Sequence, residues 1–207
     1  MADDEWYRNK SWDSEVPAAF EAKLKRARRK SQYLRIQASY LASSYPTIAL
    51  SLLERYFQQG DDFDDAQAHV NRPEAYLALG RLEDAFGAYE AALMREAEFP
   101  NLLTSAYLEL PYQIALHGAS HRYAQALTLL SAAKPRLMFA ADHFMFHAAK
   151  AIISAAQGSE PDARAEASLA LEAAGQSHSG IRYHPTAGLI SERHAKALQL
   201  LRRWCDA

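Results

Sequence analysis

The chain predicts an all-α fold: an α-α superhelix of about four antiparallel helix pairs, with an N-terminal extension and a C-terminal capping helix. Three observations carry that expectation. From Leu82 onward, Leu82, Ala85, Phe86, Tyr89, Ala92 and Leu93 keep i, i+3, i+4, i+7 spacing, which is one face of a helix. Gly80 stands just before that face, where one helix must stop and the chain reverse, and glycine accepts the left-handed backbone such a reversal needs. The arrangement also returns along the chain: Ala49, Ala85, Ala126 and Ala163 stand 36, 41 and 37 residues apart, each inside a helical pattern. The composition agrees, because Ala is abundant while Val and Thr are scarce, a balance that favours helices over sheets.

Three segments follow from this reading. Residues 1–30 are an N-terminal extension and basic amphipathic helix, 31–174 a helical repeat array, and 175–207 a loop and C-terminal capping helix. The polar start carries Trp6, Tyr7 and Trp12, three large aromatics that point to docking on the body of the protein. A helix is expected over Val16–Lys30, with Pro17 in its first turn and Phe20, Leu24 and Ala27 as its apolar stripe. Helices over Ser31–Ser43 and Thr47–Gln59 form the first pair, broken by Ser44-Tyr45-Pro46. The connector Asp61, Asp62, Asp64 and Asp65 lacks the glycine and terminal Glu of a calcium loop, and reads as a carboxylate-rich helix start.

The second pair is the one built around Gly80. Its first helix lies between Ala66 and Leu79, started or kinked at Pro73, and its second runs towards Pro100. A third pair is expected from Pro100 to Gly118, with a kink at Pro111, and from Tyr123 to Ala133. A fourth spans Asp142–Gln157 and Asp162–Ala174 around Gly158. The loop 175–185 precedes a last helix over Thr186–Arg203, which closes the exposed end of the array.

Tyr76, Gly80, Ala85, Tyr89 and Ala92 stand in the register of a known pattern, and the stretch resembles the tetratricopeptide repeat, a helix-turn-helix unit of about 34 residues. Pro100 comes later than that pattern places its proline, so the second helix should run about one turn long, and Pro73 replaces the usual small residue of the first helix. The resemblance implies that first helices line a groove that takes a peptide or a partner helix. Carried over by register, the groove positions are Gln67, Val70, Glu74 and Leu77 in the Gly80 unit and Leu34, Ala38 and Leu41 in the first. His117, Ile152 and Ala155 fall near such positions in the later units. The alternative is that several of these apolar residues are core, in an array closed by its terminal extensions.

The function classes narrow accordingly. A net charge of −2 gives no global attraction to nucleic acid or anionic membrane. No apolar run approaches the ~18 residues of a membrane span, the first residues do not resemble a signal peptide, and the single Cys205 fits a reducing cytoplasm. The expected partner is therefore a protein or peptide, with no nucleic acid, no membrane and no cofactor. The cations around Lys25, Arg28 and Arg29 read either as a solvated face or as a dock for an acidic partner. His143 and His147, like His117 and His121, stand at i, i+4, an interval that can share a metal. Phe144 follows where the zinc-protease pattern has Glu, so a metal-dependent enzyme is the weakest of three readings. The leading one is an adaptor or chaperone-like interaction module; the second is an inhibitor or immunity-type protein that neutralises one folded target.

Overall fold

A computed structural model describes residues 5–60 and 64–205. The described residues are 71% helical, with ten α-helices and no strand. The acidic connector's Asp61 and Asp62 lie outside the described residues. Two compact units divide the chain, Met1–Ala106 and Tyr107–Ala207.

The first unit holds α1 (Val16–Arg26), α2 (Lys30–Leu41), α3 (Pro46–Phe57), α4 (Asp65–Ala78) and α5 (Leu82–Glu98). The pairs α2–α3 and α4–α5 pack closely, and α4 also packs on α3 and α2. One core joins Phe20 and Leu24 of α1 to Leu34, Ala38 and Leu41 of α2, to Ala49, Leu53 and Tyr56 of α3, and to Ala68 and Ala75 of α4. The aromatic start docks on that core as expected. Trp6 lies 5.4 Å from Phe20 and 4.8 Å from Tyr33, ring centre to ring centre, and Trp12 lies 5.4 Å from Phe20.

The helix expected through Lys30 stops at Arg26, where Ala27 turns extended (φ −73°, ψ 144°). A continuous helix would hold Leu24 and Leu34 about 15 Å apart along its axis, whereas the break lets both enter one core. α4 continues through Pro73, which is buried inside it, so the helix does not start there.

The second unit holds α6 (Ala106–Leu116, whose first residue closes the first unit), α7 (Tyr123–Ala133), α8 (Ala140–Ala156), α9 (Glu160–Ala174) and α10 (Ala195–Cys205). α8 and α9 form its closest pair, and α10 packs on both. Two expected helices are shorter than the sequence suggested. α6 begins at Ala106 rather than Pro100, because Glu96 holds Thr104 in a loop. The final helix begins at Ala195 after a 3₁₀ turn over Glu192–His194, so Leu189 belongs to a loop. That loop is seated by Gly188 (φ 66°), whose carbonyl accepts from the Ala141 amide at 2.8 Å. A Cβ on Gly188 would stand 2.4 Å from the Phe139 ring.

The recurrence seen in the sequence has a structural counterpart. Ala49, Ala85, Ala126 and Ala163 are each the fourth residue of α3, α5, α7 and α9, and none is more than 3% exposed. Small side chains there let the preceding helix approach closely. Three first helices also end identically. Gly80, Gly118 and Gly158 have φ of 71°, 65° and 82°. The amide after each reaches back to a carbonyl of the last turn: Arg81 to Tyr76 at 2.8 Å, Ala119 to Ile114 at 3.0 Å, Ser159 to Ser154 at 2.9 Å. This is the two-bond helix stop that only glycine makes cheaply. The first pair lacks the glycine and turns instead through Tyr45, whose amide donates to Leu41 O at 2.8 Å before Pro46 opens α3.

Candidate functional site

The expected groove residues separate into two sets. Leu34, Ala38 and Leu41 are at most 1% exposed and belong to the core. This corrects their reading as partner-facing, because no surface is left for a partner to touch. The physical reason lies in the N-terminal segment. Gln37, fully buried on α2, accepts at Oε1 from the Asn9 amide (3.0 Å) and side chain (2.8 Å), and its Nε2 donates to Asn9 O at 2.8 Å. That exchange clamps the extension along α2. The corresponding residues of α4 remain accessible: Gln67, Val70 and Leu77 are partly exposed and Glu74 is exposed.

α4 is flanked by two buried edges, Ala68 and Ala75 on one and Ala66 and Pro73 on the other, which leaves two open sides. Gln67, Val70, Glu74 and Leu77 line the first. His69, Arg72 and Tyr76, spaced three and four apart, line the second; of these the sequence singled out Tyr76 alone, as a scaffold residue. The first side has polar neighbours. Arg35 of α2 donates from Nη1 to Asn71 Oδ1 at 3.3 Å and pairs with Asp64 at 3.2 Å.

Near Gln67 lies a cleft of about 740 Å³, lined by Asp64, Gln67, Arg95, Glu98 and the stretch from Phe99 to Thr104. Its wall is built rather than loose. The Glu96 carboxylate, buried, accepts from the Thr104 amide at 2.6 Å and from Thr104 Oγ1 at 2.5 Å; Thr104 Oγ1 in turn accepts from the Ala106 amide at 3.2 Å and so starts α6. Thr-Ser just before an apolar helix is the signal that could have placed this start. The clasp leaves Leu103 67% exposed and Phe99 48% exposed. Arg95 lies over the Phe99 ring at 4.6 Å and bonds Glu98 at 2.7 Å.

Lys25, Arg28 and Arg29 are exposed, spread over the end of α1 and the break before α2 rather than along one helix face.

The histidines are placed otherwise than a metal site needs. His143 and His147 stack 6.5 Å apart on α8, and His147 Nδ1 meets Glu166 Oε2 of α9 at 2.6 Å. Lys150 also binds Glu166, so an ammonium already sits on that carboxylate. Asp142 caps α8, accepting from the Met138 and Phe139 amides at 3.1 and 3.0 Å. Among the described residues no three His, Cys, Asp or Glu side chains converge to hold a metal ion. His117 and His121 both lie beyond the end of α6, so they are not one turn apart on a helix. His117 is exposed, although partial desolvation and the nearby Lys196 lower its pKa. Ile152 is buried and Ala155 partly exposed.

His194 is a core histidine, 1% exposed. Arg193 Nε donates to its Nε2 at 3.3 Å, and its Nδ1 meets both the Ser191 amide, which donates at 3.2 Å, and Ser191 O at 3.3 Å. Burial first, and the Arg193 charge second, push its pKa down to about 4. Tyr112, 6.1 Å from that ring, has a buried hydroxyl without a hydrogen-bond partner, and burial raises its pKa.

No helix among the described residues is long and apolar enough to cross a membrane. Neither a protein-family model, nor a curated protein, nor a solved structure matches the chain.

Proposed function

We propose that this protein is a cytoplasmic protein-interaction module, adaptor or chaperone-like, built on tetratricopeptide-like helix pairs. A peptide or protein partner docks along the first open side of α4 and into the adjoining cleft. The observation that carries this reading is the cleft itself. Leu103 and Phe99 are held out in water by the Glu96–Thr104 clasp, beside Gln67 and the paired charges of Arg95 and Glu98. Large apolar side chains fixed in an open, charge-rimmed concavity are what a protein partner covers. The test is affinity purification from the source organism with Leu103→Ser and Glu74→Ala variants alongside the unmodified chain. Loss of a partner from both variants supports the reading; a partner retained equally by both sinks it.

A second reading, an inhibitor or immunity-type protein with one folded target, draws support from the cations at Lys25, Arg28 and Arg29. These three are exposed and have no carboxylate partner among the described residues. One stoichiometric, tightly held partner lost on Arg28→Glu with Arg29→Glu favours inhibition, while several weaker partners favour the adaptor.

A further inference from the structure

We infer that Arg72 is the receptor for a carboxylate carried by an acidic segment of the partner. This goes beyond the interaction reading, by adding a contact on the other open side of α4, and rests on it. Arg72 is partly exposed on the second open side of α4. Its guanidinium carbon lies 5.1 Å from the Phe57 ring centre and 5.7 Å from that of Tyr76, so two aromatic rings hold it. Its Nε is buried without a hydrogen-bond partner, and no carboxylate among the described residues meets its charge. From α2 to α5, Arg35, Arg55, Arg81 and Arg95 each pair with an acidic side chain, and Arg72 does not.

Its neighbours on this side of α4 are Arg81, which pairs with Asp84, and His69. Arg81 also lies over the Tyr76 ring, at 4.8 Å. His69, one turn before Arg72, stacks on Phe57 at 4.8 Å, and its Nδ1 is also buried without a partner. Burial first and the Arg72 charge second lower the pKa of that ring, with Asp65 pulling the other way.

A guanidinium immobilised by two rings has already lost the rotamer freedom that binding would otherwise remove. With its inner edge buried, its two outer nitrogens form the fork that matches a carboxylate. A peptide side chain fits better than a free small anion, because the rings of Phe57 and Tyr76 offer apolar contact to the methylenes that carry the carboxylate.

The test uses the full chain and two acetylated, amidated pentapeptides, Ala-Glu-Glu-Glu-Ala and its Gln counterpart. The Arg72 Nε–H is shielded from solvent, so its side-chain resonance reports directly. The Glu peptide should shift that resonance saturably, and the Gln peptide should bind at least about tenfold more weakly. With fluorescent peptide, Arg72→Gln should abolish the preference, and Arg72→Lys, which keeps the charge but loses the fork, should weaken binding about tenfold. Equal binding of the two peptides, an unmoved resonance, or unchanged affinity in Arg72→Lys overturns the proposal. Should Arg72→Gln fail to fold, the resonance and the Lys variant decide. A cellular partner held equally by Arg72→Lys sinks this inference while leaving the interaction reading standing; a lack of any partner sinks that reading while the peptide titration still reports on Arg72.

Discussion

α2 and α4 occupy the same place in successive pairs, yet one register gives opposite surfaces. Leu34, Ala38 and Leu41 of α2 answer to Val70, Glu74 and Leu77 of α4, 36 residues on. The first three are in the core and the second three are partly or fully exposed. α2 is covered by the docked extension, with Asn9 exchanging hydrogen bonds with Gln37 and Trp6 resting on Tyr33. α4 keeps two open sides and, on one of them, polar atoms with no partner. A repeat register therefore fixes which side chains can face outward; the end cap decides which of them do. Of the two helices, α4 is the one whose register positions stay open to solvent.

The most severe way to break this contrast is to exchange the residues at one register position. Ala38→Glu copies the Glu74 of α4 into a fully buried site with no cation or donor prepared for it. The expected cost is about 4 kcal/mol or more, enough to unfold a marginal domain. Circular dichroism and urea unfolding would show it, and a folded Ala38→Glu protein of near-normal stability would mean that α2 is not covered as described.

Acid sharpens the contrast next. α2 carries no histidine or carboxylate, whereas α4 carries His69. His69 and, in the second unit, His194 both have folded pKa values below the unfolded value of about 6.5. The unfolded chain then binds more protons, so their contribution is complete above pH 6.5 and is lost as pH falls. For His194, with a folded pKa of about 4, the loss amounts to about 3 kcal/mol by pH 4. His194→Gln should remove most of that slope. In this background, the residual loss of amide protection between pH 7 and 5 should concentrate in α4 and leave α2 unchanged. A His194→Gln protein with the original slope would show that the ring does not titrate from a buried neutral state.

Much of the scaffold was legible because it rests on local chemistry. Gly80, Gly118 and Gly158 announced their turns through a backbone conformation few other residues accept, and the four alanines announced the helix seams through size alone. What the sequence hid depends on partners distant in the chain. The stop of α1 at Arg26 is set by the need to bring Leu24 beside Leu34, and the late start of α6 by a carboxylate at Glu96 that closes over Thr104. At the candidate site, Gln67, Val70, Glu74 and Leu77 were readable from register. Arg72 was not, because its lack of a carboxylate is visible only once every other charge has a position.

The cover on α2 can itself be loosened. Asn9→Ala removes the side-chain donor to Gln37 Oε1 and leaves a buried amide poorly satisfied. The expected cost is about 1–2 kcal/mol, because the Asn9 backbone bonds to Gln37 persist. Faster hydrogen exchange should appear in residues 5–15 and along α2, but not in α4. Uniform acceleration across the first unit would mean that the extension is part of a single cooperative core and not a cap.

The smallest expected effect is the one that separates structure from function most cleanly. Glu74→Ala touches an exposed side chain on α4 that no hydrogen bond or ion pair among the described residues links to the scaffold. Alanine also favours the helix slightly, so stability should stay within about 0.5 kcal/mol of the unmodified chain in urea unfolding. Partner retention should nevertheless fall, since the same side chain lies on the side proposed for docking. A destabilisation above about 1.5 kcal/mol would place Glu74 in the scaffold after all. It would then join Leu34, Ala38 and Leu41 as a register position that holds helices together, and the difference between α2 and α4 would shrink to their polar edges.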